Sequence, residues 1–171
     1  MALAAGEDVV FNLPVHSTTA RANAQLERDV LHWLNGLRAE QHLLPLRANA
    51  SIQNVARAYG LDMFGHGYLS HVSRDGRTLQ TRLAATGLRF QVVGENLAYA
   101  GEVDEAERAL WHSEPHRRNM LYPAFRLVGV AVIDGGGDGV IIVQDFSDDP
   151  ATDSTAASRR LVPSGVLSSR P

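Results

Sequence analysis

The chain has no cysteine among its 171 residues. That excludes a disulfide framework, a thiolate zinc site and a cysteine nucleophile, and leaves stability to the hydrophobic core. It has no lysine either: every basic residue is arginine, so catalysis by a lysine of this chain is excluded. No apolar run is long enough to span a bilayer. Charge of one sign is also scarce. The net value of -3 gives no reason to expect nucleic acid or an anionic membrane as a partner.

What is present is a chain with 44 % hydrophobic residues, long enough for one domain with a proper core. Residues 1–19 read as an N-terminal strap over the surface, with a small apolar start. That start is either what remains of a signal-peptide cleavage region whose hydrophobic part is absent from this sequence, or a floppy terminus. Residues 20–147 form the domain. Apolar residues Leu26, Val30, Trp33, Leu34 and Leu37 recur at helical spacing within 20–40, with Asn35 and Arg38 on the other faces. A second helix is predicted over 49–63. Asn49-Ala50-Ser51 fits a glycosylation sequon, but Asn49 reads better as the helix cap.

A loop at 68–76, a helix over 78–86 and an extended stretch at 90–98 follow. A further helix begins in the acidic cluster Glu102, Asp104 and Glu105, which suits the helix dipole. Two continuously apolar runs, 127–133 and 140–143, are joined by a Gly-rich link. They predict a β-hairpin buried on both faces, with helices on either side. From residue 148 the composition turns to Ser, Ala, Thr, Pro and Asp, and a disordered tail is expected over 148–171.

The stretch that carries chemistry is Trp111-His112-Ser113-Glu114-Pro115-His116-Arg117-Arg118-Asn119-Met120-Leu121. Pro115 cannot sit inside a helix and biases Glu114 towards extended backbone. The preceding helix is therefore predicted to end near Ser113, with a new turn starting at Pro115. Such a break can aim side chains into a cleft. His71 and Glu95 are the residues expected to meet Glu114 and His116 there, while His32, His66 and His112 read as solvated or rim residues.

Seven pieces occur in order: Asn35-Gly36-Leu37-Arg38 with Leu44-Pro45-Leu46, Asp62-Met63, Ser70-His71-Val72-Ser73-Arg74-Asp75-Gly76, Gly94-Glu95-Asn96-Leu97-Ala98, Ser113 to Leu121, Val128-Gly129-Val130, and Gln144-Asp145-Phe146. Together they resemble the CAP superfamily (cysteine-rich secretory proteins, antigen five and pathogenesis-related one), in its cysteine-free bacterial branch. The resemblance implies an α+β fold, a three-layer α-β-α sandwich with a small, mainly antiparallel central sheet. It implies a cleft lined by two histidines and two acids, carried over as His71, Glu95 and His116, with Glu114 as the second acid. The bacterial pattern reads Ser-Pro-Gly-His where this chain has Ser113-Glu114-Pro115-His116, and its Trp slot holds Leu110.

Two imidazoles with carboxylates suit a borderline divalent ion such as zinc, with His71 and His116 as its ligands. Without metal, Glu95 would instead orient an imidazole by accepting its ring N–H. The favoured expectation is a secreted or periplasmic monomer whose cleft binds a divalent cation and a lipid, peptide or cell-wall fragment. A metal-dependent hydrolase using Glu95 or Glu114 as acid or base is the first alternative. A structural interaction domain stiffened by a hydrogen-bonded tetrad is the second.

Overall fold

The two apolar runs near the C-terminal end form the centre of the molecule. The computed structural model describes residues 2–3 and 9–149. In chain order its elements are β1 (Ala2–Leu3), β2 (Phe11–Asn12), β3 (Arg21–Ala22), α1 (Ala24–Glu40), β4 (Arg47–Ala48), α2 (Ala50–His66) and β5 (Tyr68–Leu69). They continue with α3 (Leu79–Ala84), β6 (Val93–Ala100), α4 (Val103–His112), α5 (Glu114–Met120), β7 (Leu127–Asp134) and β8 (Val140–Ser147). β7 and β8 pair antiparallel from Leu127↔Ser147 to Asp134↔Val140, and β6 pairs along the whole of β8. The sheet order is β1-β6-β8-β7-β3, with β4 parallel to β7.

Strand residues alternate between faces, and here both faces are covered. Ala98, Val130, Val132 and Ile142 pack with Val30, Leu34, Ala106 and Leu110 of α1 and α4. Leu97, Ala131, Ile133 and Val143 pack with Ala56, Tyr59, Met63 and Phe64 of α2. Leu79 and Leu83 of α3 join Ile52 on that second side. This is the α-β-α sandwich that the resemblance implies, and the hairpin is buried on both faces as predicted.

Local chemistry sets the helix ends. The Asn49 side chain accepts from the amides of Ser51 and Ile52, and that of Asn23 from Gln25 and Leu26, so both cap a helix start. α2 runs three residues past its predicted end and stops at Gly67, whose φ of 67° suits glycine. Its first turn sits hard against β7. A Cβ on Gly129 would lie 2.4 Å from the backbone of Ile52 and Gln53.

The outer border of β7 is closed by a series of donors. The amide of Asn49 donates to Val128 O and that of Asn23 to Val132 O, both at 2.9 Å. The Gln53 side chain donates to Val130 O between them.

Several expectations need correction. Ala2–Leu3 pairs with Leu97–Ala98 and so supplies a strand of the main sheet; residues 4–8 lie outside the described residues. β8 continues beyond 143 through Gln144, Asp145 and Phe146 to Ser147. Asn35 and Arg38 do not simply face solvent. Asn35 exchanges hydrogen bonds with the backbone of Leu46, and Arg38 is 0 % exposed. Arg38 donates to carbonyls of Leu44, Met120, Tyr122 and Phe125, tying α1 to the end of α5. Asp148, placed in the expected tail, is buried; its carboxylate accepts from the amides of Gln91 and Val92. Residues 150–171, the rest of that tail, lie outside the described residues.

Candidate functional site

Ser113 ends α4 and begins α5. Its backbone is extended (ψ 117°), and Pro115 occupies the first turn of α5, where a missing N–H costs nothing. The break predicted from Pro115 is present, with the extended residue at Ser113 instead of Glu114. It turns His116 inward to 1 % exposure. The Ser113 hydroxyl lies 2.6 Å from His116 Nδ1 and fixes the ring's orientation. The His116 carbonyl accepts from Asn96 Nδ2 at 3.1 Å, and the same amide donates to Gln144. Asn119, one turn later, donates to Asn96 Oδ1 and to the Glu95 carbonyl. These bonds tie α5 to β6.

His71 comes from the loop after β5. Its Nδ1 lies 2.7 Å from Glu95 Oε1. Glu95 is thus placed to accept this ring N–H and orient the imidazole. The other oxygen of Glu95 accepts from Arg82 of α3, and both of these side chains are nearly fully buried. Arg82 also donates to the carbonyls of His71 and Arg77 at 3.3 and 3.1 Å, and lies 3.6 Å from the ring centroid of Tyr59, a cation–π contact. Asp145 stands opposite Glu95 in the β6–β8 register and is fully buried. Burial, and then the charge of Glu95, push its carboxyl well above the usual carboxylate range, against the opposing pull of Arg82. Its surroundings therefore favour the protonated carboxyl over the carboxylate.

The four residues expected from the sequence are placed as follows. His71 and Glu95 meet. The His116 carbonyl is anchored at the next strand residue, Asn96. Glu114 is corrected: its side chain is 73 % exposed and pairs with Arg118 one turn along α5, at 2.7 Å. The first turn of so short a helix points it outward. The acid beside Glu95 is Asp145. Sequence reasoning missed Arg82 and Asp145, although each left a signal. Arg82 falls on the inward stripe of Leu79 and Leu83, and Gln144-Asp145 interrupts an otherwise apolar strand.

Among the described residues no group of three or more His, Asp or Glu is placed to hold a metal. His71 Nδ1 faces Glu95, and His116 Nδ1 faces Ser113.

In front of Arg82 opens a cleft of about 280 Å³, lined by Tyr59, Asp62, Ser73, Arg74 and Arg77 among others. It shares Ser73 and Arg74 with a groove of about 560 Å³ that runs past Tyr68 and Val72 to Val10. The loop between is cross-braced: the Ser73 hydroxyl donates to Asp75 and accepts from the Arg77 amide, and Gly76 closes the turn at φ 81°.

Residues 31–146 match the model of the cysteine-rich secretory protein (CAP) family. The chain belongs to the CAP family. It is 31 % identical over 111 residues to the uncharacterized protein YkwD of Bacillus subtilis, a match that covers 64 % of this chain but 43 % of YkwD. An extracellular SCP-domain protein of Bacillus anthracis superposes with TM-score 0.65 at 29 % identity, over 72 % of this chain and 40 % of that one. An outer surface protein of Borrelia burgdorferi shares the fold with TM-score 0.70 at 17 % identity, over 76 % of this chain and 98 % of that one. This CAP chain therefore spans under half the length of YkwD and of the Bacillus anthracis protein. No helix among its described residues is long and apolar enough to cross a membrane.

Proposed function

We infer that the chain is an extracellular binding module, whose cleft between α2 and the 70–77 loop takes a lipid, peptide or cell-wall fragment without turning it over. The observation that carries this reading is the buried Glu95–Arg82 pair, with His71 attached, at the back of a solvent-filled cleft. Taking an ion pair out of water is costly and gives no net stability advantage over apolar packing. A concave site with a few fixed polar groups is the usual form of a ligand pocket. The extracellular SCP-domain relative supports a place outside the cell. Hydrolysis has less support, because Glu95 is already engaged by His71 and Arg82, and Glu114 lies on the outside.

Amide spectra of the full chain titrated with muramyl dipeptide, decanoate below its micelle concentration, or trialanine test the reading. Saturable shifts at Tyr59, Ser73 and Arg82 with at least one probe, and no new product by mass spectrometry, are expected. If all three probes leave those amides unmoved, the cleft is not the binding site. If a product appears, the module is an enzyme.

A further inference from the structure

Behind the cleft two carboxyls face one guanidinium. Glu95 and Asp145 are directly paired across β6 and β8, and both are almost without exposure. Arg82 is held from several sides at once: by Glu95 Oε2, by the carbonyls of His71 and Arg77, and by the face of Tyr59. Carboxylate and carbonyl oxygens are also the ligands that hard divalent ions use. Here they surround a cation that is part of the chain. A planar guanidinium suits this position, because it is always charged, engages several acceptors in one plane and stacks on an aromatic ring.

We propose that Arg82 is the resident cation of the cleft: its guanidinium holds the place at Glu95 that a divalent ion would need, and removing that side chain opens the place to metal. An incoming ion would have to displace a buried partner that is itself fixed by carbonyls and a ring. Displacement would also leave that guanidinium charge without its carboxylate, which is unfavourable in a buried setting. Removing the guanidinium reverses the balance, since Glu95 then becomes a buried carboxylate in need of a cation. The proposal takes only its location from the binding-module reading. Its test measures metal and not ligand, so the two fail separately.

The experiment titrates manganese(II) chloride into the full chain, Arg82→Ala and Arg82→Ala/Glu95→Gln by calorimetry at neutral pH. Heat at surface histidines persists in the double variant and is subtracted. Arg82→Ala is expected to bind on the order of tenfold tighter than the wild type, or more, in a step that Glu95→Gln abolishes; such a gain follows from removing one charge at contact distance. A folded Arg82→Ala with no Glu95-dependent gain overturns the proposal. Should Arg82→Ala fail to fold, the wild type decides. Its His71 ring signals are expected to stay sharp at manganese concentrations that broaden the exposed His32 and His112. Earlier broadening at His71 overturns the proposal.

Discussion

Glu95 and Asp145 are two acids a strand apart, yet their substitutions should behave oppositely. Glu95→Gln keeps the shape but removes the charge that Arg82 and His71 share. It leaves a buried guanidinium without its partner, a change that typically costs about 3–5 kcal/mol. Urea unfolding at pH 7 should show that loss. Asp145→Asn mimics a carboxyl that already holds its proton, so near pH 5 its effect should be small. The sign above that pH follows from the raised carboxyl. The unfolded chain releases this proton at ordinary carboxylate pH while the fold retains it, so wild-type stability falls as pH rises. Asp145→Asn lacks that fall, and melting curves at pH 5 and pH 9 should show its relative stability increasing.

Helix-on-sheet contacts give two further tests. Gly129→Ala places a methyl against the backbone of α2's first turn, at 2.4 Å. Backbone has no rotamer to give way, so a loss of roughly 3 kcal/mol or more is expected, at the upper end of overpacking costs. Thermal unfolding measures it. On α4, burial pushes the Glu107 carboxyl up to about 7, with help from the charges of Asp104 and of Asp29 on α1. Because the fold retains this proton longer than the unfolded chain, stability falls as pH rises from about 4.5 to about 7 and is flat above. Glu107→Gln should therefore melt higher than the wild type above pH 7, and the difference should vanish below pH 4.5.

At this scale the sequence is informative where one rule acts alone. Asn49 as a cap, Pro115 as a break and the apolar runs of β7 and β8 each follow from a local cause. The failures come from residues whose partners are remote. Arg38 falls on a polar face by periodicity, yet three of its four acceptors lie more than 80 positions away. Glu114 sits in a motif, but the first turn of α5 aims it outward. Arg82 reads as one polar residue in a helix, because nothing nearby in sequence reveals Glu95 as its partner. His71 and Glu95 are legible as a pair only because the family motifs place both together.

For the molecule as a whole, the end of β8 is fastened to the start of β6. Asp148 does this by accepting from the amides of Gln91 and Val92, joining the exit of β8 to the entry of β6. Asp148→Ala leaves those amides without their acceptor and should cost about 1–3 kcal/mol, read as a lower urea midpoint with an unchanged slope. The opposite side of the sheet has a different consequence. Along β7 the carbonyls of residues 128, 130 and 132 are already taken by Asn49, Gln53 and Asn23. An exposed border strand is a template on which foreign chains stack into fibrils. β3 and β4 already lie along that side of β7, so with those three acceptors taken β7 presents no such template to an approaching strand there.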